Sequence, residues 1–331
     1  MDLRENILET LGNTPLVKLR RYHPEGALLA AKLEFFNPGS SVKDRIGIAM
    51  IEAAEREGRL RPGMTIVEPT SGNTGLGLAI AAVLKGYKLI CTATTKISRE
   101  KIALLRAHGA EVIICPVDVD AEDPRSYYKV AERIRDEQGA YLPYQYYNQA
   151  NPETHYQTTG PEVWHQTDGR ITHWVVGIGT GGTISGSAKY LKERNPDVRV
   201  IGVDPAGSAY AYYHEHGHMP PPEELHLYLI DGIGQSYLPP SYWPEYIDEV
   251  VTVDDKTAYA AVFELTRGEG IFTGSSGGAA AFAARELARR LPDDALVVTL
   301  FPDSGERYLS KLNDEWLREK GILGPGESFL D

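Results

Sequence analysis

A lysine at the start of a predicted helix is the first residue of this sequence whose surroundings indicate chemistry. Residues 37–45 read Asn-Pro-Gly-Ser-Ser-Val-Lys-Asp-Arg, so a Pro-Gly turn leads into an amphipathic helix over 42–56 with Lys43 in its first turn. The helix dipole disfavours a cation there, which favours the neutral amine that acts as a nucleophile or forms an imine. A solvated surface lysine is the simpler interpretation of Lys43 taken alone, and the segments described next weigh against it.

A second segment, 70–75, follows a predicted strand and reads Thr-Ser-Gly-Asn-Thr-Gly. Backbone N–H groups and hydroxyls converge where such a loop enters a helix, and the helix dipole favours an anion there. A carboxylate or a phosphate would suit this loop. The alternative is an ordinary helix N-cap formed by Ser71 or Asn73, and this segment alone leaves both interpretations open.

A third segment, 177–183, is rich in glycine and reads Gly-Ile-Gly-Thr-Gly-Gly-Thr between a predicted strand and a predicted helix. It matches the G-x-G-x-x-G pattern of dinucleotide-binding loops, and Asp204 follows 22 residues after Gly182. We interpret the dinucleotide pattern as coincidental, because Thr180 and Thr183 add hydroxyls that suit a terminal phosphate monoester. A tight glycine turn without a ligand is the remaining alternative.

A fourth segment, 301–308, follows the last predicted strand and reads Phe-Pro-Asp-Ser-Gly-Glu-Arg-Tyr. The carboxyl ends of strands in parallel sheets face the ligand crevice, so Ser304 or Asp303 could meet the ring nitrogen of a cofactor. The alternative is a helix N-cap at either residue. A phosphate loop, an anion site, a lysine and a polar strand end together form the set that an amino-acid-processing pyridoxal-phosphate enzyme requires.

Strand-like and helix-like runs alternate over most of the chain and must position these four segments. The predicted strands lie at 65–68, 88–92, 111–116, 174–177, 199–203 and 295–301. The predicted helices lie at 73–85, 98–108, 124–138, 183–194 and 277–290. Repeated βαβ units predict an α/β fold with mostly parallel sheets flanked by helices. We expect a large domain formed by residues 1–39 plus 146–331, which binds the cofactor, and a smaller mobile domain over 40–145, which binds the substrate carboxylate.

Composition excludes several classes of function. The 331 residues exceed what one compact core usually holds, and the formal net charge of −12 disfavours nucleic acid and anionic membranes as partners. No apolar run is long enough to span a bilayer, and the acidic N-terminus does not resemble a signal peptide, so we expect a cytoplasmic protein. We expect Cys91 and Cys115 to be buried and reduced.

Residues 208–240 are rich in Tyr, His and Pro and have weak periodicity, which predicts a long loop or lid. Within it, His214, His216 and His218 alternate along the chain and invite a metal hypothesis. No second group of ligands accompanies them, so we expect no metal site. A contribution to the site entrance is the preferred interpretation.

The four segments together resemble those of the fold-type II pyridoxal-phosphate β-replacement enzymes, the family of the cystathionine β-synthase catalytic core and of cysteine synthase. The resemblance begins at the Gly-Asn-Thr-Pro-Leu run of residues 12–16 and continues to about Tyr308. It implies a tryptophan synthase β-like fold with two domains, pyridoxal 5′-phosphate as cofactor, and a homodimer acting on small amino-acid and thiol substrates. Absence of the haem-binding and regulatory segments that accompany the core in some members implies that haem and adenosylmethionine regulation are absent.

The resemblance also implies a role for individual residues. Lys43 forms the Schiff base with the cofactor and transfers the α-proton, Asn73 binds the cofactor's 3′ oxygen, and Ser304 meets its pyridine nitrogen. The implied ligands of the phosphate are Gly179, Thr180, Gly181, Gly182 and Thr183. The implied ligands of the substrate carboxylate are Thr70, Ser71, Thr74 and Gln145. A neutral serine at the ring nitrogen stabilises a carbanion less than a carboxylate does, which suits β-elimination over transamination.

Residues 145–159 resemble the cystathionine branch of the family more than the cysteine synthase branch. Tyr146 is the distinguishing position, because cysteine synthases usually have phenylalanine there. Its phenol could assist the departure of hydroxide from serine, and the alternative is an aromatic packing wall. The implied function is β-replacement on L-serine or O-acetyl-L-serine with homocysteine, which gives L-cystathionine through an aminoacrylate intermediate and belongs to transsulfuration and cysteine biosynthesis.

Four alternatives remain. A cysteine synthase that uses O-acetylserine and sulfide is the nearest, and a serine or threonine dehydratase shares the fold. An NAD-dependent oxidoreductase would use segment 177–182 but would leave Lys43 and segment 70–75 without a role, and a pure binding protein explains none of the glycine loops. Bleaching of a yellow protein by borohydride at Lys43 would support the pyridoxal-phosphate enzymes and exclude the last two alternatives.

Overall fold

The computed structural model describes residues 3–70 and 72–330, and the chain folds as two compact units. The smaller unit comprises Met1–Leu11 and Asn37–Asn151, and the larger unit comprises Gly12–Phe36 and Pro152–Asp331. The sequence-predicted division into residues 1–39 plus 146–331 and a mobile domain over 40–145 stays a prediction.

The described residues form nine strands, eleven α-helices and five short 3-10 helices. The strands are β1 (Leu16–Lys18), β2 (Leu28–Leu33), β3 (Thr65–Pro69), β4 (Lys88–Thr94), β5 (Glu111–Cys115), β6 (His173–Gly177), β7 (Arg199–Pro205), β8 (Glu249–Val253) and β9 (Leu296–Phe301). The α-helices are α1 (Lys43–Arg56), α2 (Asn73–Lys85), α3 (Arg99–Ala107), α4 (Tyr127–Gln138), α5 (Ala150–Gln157), α6 (Thr159–Gln166), α7 (Gly182–Arg194), α8 (Tyr210–His216), α9 (Asp255–Glu269), α10 (Ser275–Ala288) and α11 (Asp314–Glu319). The 3-10 helices are Ile7–Thr10, Glu34–Phe36, Pro222–Glu224, Pro244–Tyr246 and Gly305–Tyr308.

The smaller unit is built on a parallel sheet of three strands in the order β3-β4-β5. Helices α1 and α2 pack against each other at a pair of glycines, where a Cβ atom on Gly47 would overlap the backbone of Gly77. A Cβ on Gly77 would lie 2.6 Å from the carbonyl oxygen of Lys43. Glycine at both positions therefore lets the first turns of the two helices touch through their backbones.

The larger unit is built on a six-stranded sheet in the order β1-β2-β9-β6-β7-β8. All neighbouring strands are parallel except β1, which pairs antiparallel with β2. Strand β6 ends opposite the end of β7, where Gly177 pairs with Val203. The carboxyl ends of these two strands therefore lie side by side. Strand β6 leads through the glycine-rich segment into α7, and strand β7 leads into α8.

The predicted α/β class with mostly parallel sheets flanked by helices is confirmed. Helix α2 has the predicted bounds, and both Cys91 and Cys115 are buried, as predicted, without forming a disulfide. Segment 208–240 is not wholly irregular, because it contains α8. Among the described residues, none of the helices has both the length and the apolar character that crossing a membrane requires.

Candidate active site

Lys43 is the first residue of α1 and is half-buried. Its backbone N–H donates to the Ser41 hydroxyl oxygen at 3.0 Å. The Asp44 carboxylate accepts the backbone N–H of Gly39 at 2.7 Å and that of Ser41 at 3.3 Å. The Pro-Gly turn is thus tied to the first turn of the helix, and this fixes the backbone that carries the lysine side chain.

The loop that follows β3 places Thr70 and Asn73 at the start of α2. The Thr70 hydroxyl oxygen accepts the N–H of Gly72 at 3.0 Å and that of Gly75 at 3.4 Å. Asn73 is the first helical residue and is buried, and the N-cap is Gly72 with a φ of 116°. The alternative that Asn73 caps this helix is therefore wrong, and Ser71 lies outside the described residues.

Gln145 hydrogen-bonds to this loop from a distant part of the same unit. The Thr74 hydroxyl donates to the Gln145 side-chain oxygen at 2.6 Å, and the Gln145 side-chain nitrogen lies 3.5 Å from the carbonyl oxygen of Pro69. Both Thr74 and Gln145 are buried. The structure thus brings together the described residues that the sequence predicts for the carboxylate site.

Glu68 holds the backbone at Gln145 and was missed by the sequence analysis. Its two carboxylate oxygens accept the N–H of Gln145 at 3.0 Å and that of Tyr144 at 2.7 Å. Burial raises the pKa of Glu68 to about 8, and the two donated hydrogen bonds oppose that rise. The sequence does contain one signal for this role, because Glu68 is a charged residue at the end of the predicted strand 65–68.

Tyr146 is buried next to Gln145 in the chain. Its ring centroid lies 6.0 Å from that of Tyr128 in an edge-to-face arrangement. This contact is the aromatic packing that the sequence offers as the alternative to a catalytic role. The catalytic role of Tyr146 stays a prediction.

The glycine-rich loop of the larger unit connects β6 to α7. Gly181 is the N-cap of α7 with a φ of 86°, and a Cβ on Gly179 would overlap the carbonyl oxygen of Gly232. Thr180 is buried in this loop, and Thr183 is buried in the first turn of α7. The loop thus presents backbone N–H groups and hydroxyls at a helix N-terminus, an arrangement that suits a phosphate.

His155 lies behind the threonine at the start of α7. Its Nε2 atom lies 3.2 Å from the Thr183 hydroxyl oxygen, and its Nδ1 atom lies 2.8 Å from the Thr159 hydroxyl oxygen. The imidazole is fully buried. His155 is thus a core residue with hydrogen-bond partners on both ring nitrogens, and through Thr183 it orients a residue that the sequence predicts as a phosphate ligand.

Asp204 does not serve as the ribose-binding acid of a dinucleotide site. Its side chain is fully buried, and its carboxylate accepts the backbone N–H of Ala211 in α8 at 2.9 Å. Burial raises the pKa of Asp204 to about 7. The acid thus stabilises the start of α8, which agrees with the interpretation of the dinucleotide pattern as coincidental.

Ser304 caps the short helix Gly305–Tyr308, because its hydroxyl oxygen accepts the N–H of Glu306 at 3.3 Å. A hydroxyl that accepts one hydrogen bond still has its own proton to donate, so the cap leaves Ser304 able to bind a neutral ring nitrogen. The neighbouring Asp303 is buried and accepts a hydrogen bond from the Tyr308 hydroxyl.

The histidines of segment 208–240 have other partners. The His214 Nε2 atom lies 3.3 Å from the carbonyl oxygen of Asp248, and the rings of His216 and His218 contact Tyr212. Over residues 3–70 and 72–330, no group of three His, Cys, Asp or Glu residues is placed to hold a metal ion.

Comparison with known proteins yields one family. Residues 7–303 match the family described as pyridoxal-phosphate dependent enzyme. Cystathionine β-synthase of Oryctolagus cuniculus is 42% identical over 328 residues, which cover 96% of this chain and 58% of the rabbit protein. The chain thus spans little more than half the length of that curated relative.

Solved structures resemble most of the chain, among them the following two. The O-acetylserine-dependent cystathionine β-synthase of Helicobacter pylori is 37% identical with a TM-score of 0.85, and the match covers 94% of this chain and 99% of that one. A hydrogen sulfide-producing enzyme of Fusobacterium nucleatum is 36% identical with a TM-score of 0.84, and the match covers 93% of this chain and 100% of that one.

Proposed function

The chain belongs to the family of pyridoxal-phosphate-dependent enzymes, and we propose that it catalyses β-replacement on L-serine or O-acetyl-L-serine. In this proposal homocysteine is the second substrate and L-cystathionine is the product. The observation that carries the proposal is the similarity of both units to proteins named cystathionine β-synthase. Pyridoxal 5′-phosphate is the cofactor of the family.

The residues of each unit fit this cofactor. In the larger unit, the backbone N–H groups and hydroxyls of 179–183 suit a phosphate dianion, and the Ser304 hydroxyl suits a neutral pyridine nitrogen. In the smaller unit, Lys43 supplies the amine at a helix start, and the amide of Asn73 suits the cofactor's 3′ oxygen. Glycine at 179 keeps this loop in its place, because a Cβ there would overlap the carbonyl oxygen of Gly232.

Pyridoxal phosphate, when bound, holds the substrate amino group and withdraws electrons from the α-carbon. Lys43 removes the α-proton with its Nζ lone pair, and the β-substituent leaves with the electrons of its bond. A thiolate sulfur then forms the new bond to the β-carbon, and Lys43 returns the proton. The start of a helix favours the neutral amine that this role requires.

The carboxylate of the substrate amino acid binds, in this proposal, to Thr70, Ser71, Thr74 and Gln145. The Thr74 hydroxyl already donates to Gln145, so the Gln145 side-chain oxygen is committed and its amide nitrogen faces the loop as a donor. A donor with a fixed orientation binds a carboxylate without further loss of side-chain freedom. Glu68 supports this arrangement through the backbone of Gln145.

Tyr146 is proposed as the group that assists the leaving β-substituent. Hydroxide is a poorer leaving group than acetate, so a phenol that donates a proton or a hydrogen bond matters more for serine than for O-acetylserine. Its chain position directly after Gln145 supports this role.

Cysteine synthase activity with O-acetylserine and sulfide is the second candidate. The similarity to the hydrogen sulfide-producing enzyme and to the O-acetylserine-dependent synthase supports it. For the protein as a whole we propose a cytoplasmic homodimer without nucleic-acid or membrane partners, on the basis of the family resemblance and the net charge of −12.

Product analysis by mass spectrometry tests the choice between the two reactions. Purified, cofactor-loaded protein receives L-serine with homocysteine in one reaction and O-acetylserine with sulfide in another, and initial rates are compared. Cystathionine formed from serine at the higher efficiency supports the proposal. Efficient cysteine formation with inert serine contradicts it, and pyruvate released without a thiol indicates a dehydratase.

A further inference from the structure

Two buried hydroxyl groups donate hydrogen bonds to backbone carbonyl oxygens of the glycine-rich loop between β6 and α7. The Tyr210 hydroxyl donates to the carbonyl oxygen of Gly179 at 2.6 Å, and the Ser241 hydroxyl donates to the carbonyl oxygen of Thr180 at 2.6 Å. Both donors belong to the larger unit, as the loop does. Both side chains have an exposed fraction of 0%.

The preceding carbonyl is held as well, because the N–H of Gly234 donates to the carbonyl oxygen of Ile178 at 2.7 Å. In a planar trans peptide, the carbonyl oxygen and the following N–H point in opposite directions. Fixing these carbonyls therefore fixes the N–H groups of Gly179, Thr180 and Gly181. No hydrogen bond of the described chain uses the N–H of Gly179 or of Gly181.

Tyr210 is itself held in place. It is the first residue of α8, where the Asp204 carboxylate accepts the N–H of the next residue, Ala211, at 2.9 Å. Its ring lies 4.8 Å from the ring of Tyr242. These two contacts fix the Tyr210 side chain in the position from which its hydroxyl donates to the carbonyl oxygen of Gly179.

We propose that Tyr210 and Ser241 are positioning residues for the cofactor's phosphate, which they do not contact themselves. This inference rests on the proposed assignment of residues 179–183 to that phosphate. A peptide unit released from its hydroxyl can rotate, and it would then present a carbonyl oxygen where the phosphate dianion needs an N–H. Each hydroxyl keeps one carbonyl turned away and one donor turned inward.

The test compares the binding of pyridoxal phosphate with that of pyridoxal, which lacks the phosphate. Full-length apoprotein is titrated with each compound and followed by absorbance, and the ratio of the two dissociation constants isolates the contribution of the phosphate. For Tyr210→Phe and Ser241→Ala we expect a roughly three- to tenfold smaller preference for the phosphate form, which is the effect of one hydrogen bond. Affinity for pyridoxal should stay unchanged, and the 31P resonance of bound pyridoxal phosphate should shift.

Tyr242→Phe is the matched control, because the Tyr242 hydroxyl is buried and has no hydrogen-bond partner among the described residues. For Tyr242→Phe, the ratio of the dissociation constants for pyridoxal and pyridoxal phosphate should equal that of the wild type. If Tyr210→Phe and Ser241→Ala keep the wild-type ratio, or if Tyr242→Phe lowers it equally, the positioning role is wrong. If the wild type itself shows no preference for the phosphate form, the assignment of the loop fails, and this inference fails with it.

Discussion

The carboxylate of Glu68 accepts the backbone N–H of Gln145 at 3.0 Å, so the end of strand β3 determines where a residue 77 positions away presents its side chain. The second carboxylate oxygen accepts the N–H of Tyr144. Tyr144 has a φ of 56°, which is in the left-handed region. Glu68 therefore stabilises a backbone conformation that a non-glycine residue rarely adopts.

Glu68→Gln should lower the free energy of unfolding by about 1–3 kcal/mol, because both oxygens of the carboxyl group can accept a hydrogen bond in either protonation state, whereas the amide nitrogen cannot and leaves a buried N–H without a partner. Urea unfolding followed by circular dichroism measures the change. Glu137→Gln on α4 is the control, since Glu137 is exposed and should tolerate the same substitution. An equal and small effect of both substitutions would contradict the role given to Glu68.

The free energy of unfolding should depend on pH through Glu68. Its folded pKa of about 8 lies above its ordinary value of 4.5, so the folded state binds more protons than the unfolded state between these values. The contribution of this group is therefore fully present below pH 4.5 and is lost as the pH rises through about 8. Unfolding curves between these limits should fall more steeply with pH for the wild type than for Glu68→Gln, and parallel curves would refute the assignment.

Lys43→Ala should abolish the absorbance of the Schiff base and slow β-replacement by a factor on the order of 100 to 10,000, the usual contribution of a positioned acid–base group. Borohydride reduction followed by peptide mass spectrometry should label Lys43 in the wild type. Lys88→Ala is the control, because Lys88 is exposed at the start of β4. Label on another lysine would exclude Lys43 as the cofactor's partner.

Thr74→Val should raise the KM for the amino-acid substrate about tenfold, because it removes the hydroxyl that orients the Gln145 side chain. Thr74→Ser keeps the hydroxyl and should stay within about threefold of the wild type. Initial-rate kinetics with varied amino acid and fixed thiol separate KM from kcat. A matching loss in both variants would mean that the threonine methyl group, and not the hydroxyl, is what the site needs.

Tyr146→Phe should lower kcat with L-serine by about a hundredfold while leaving kcat with O-acetyl-L-serine nearly unchanged, because only hydroxide needs acid assistance to leave. Steady-state rates with the two substrates under one thiol give the comparison. The phenylalanine ring keeps the edge contact with Tyr128, so packing is preserved. Equal losses with both substrates would assign Tyr146 to packing alone.

Sequence reasoning could predict those features that depend on neighbouring residues. Helix α2 was predictable because Gly86 ends it in a left-handed conformation and an apolar run fills it. The glycines of 177–183 were visible as a motif. The Pro-Gly turn before Lys43 indicated the start of the lysine helix. The fold class followed from the repeated alternation of strands and helices.

Features that depend on distant partners could not be predicted. Glu68 matters because of Gln145, and Tyr210 and Ser241 matter because of carbonyls 31 and 61 residues away. Helix α8 has only seven residues, and the carboxylate that supports its start comes from Asp204, outside the helix. A buried hydrogen bond between remote segments has no periodicity or spacing by which a single sequence reveals it.

The glycine contact between α1 and α2 connects the start of the helix that carries Lys43 to the start of the helix that follows segment 70–75. Gly47 lies one helical turn after Lys43, and Gly77 lies one turn after Asn73, so the two helices interlock at their functional ends. Neither helix can slide along the other without a backbone collision. Within the smaller unit, the close approach of the two backbones therefore fixes the position of Lys43 relative to the loop that precedes α2.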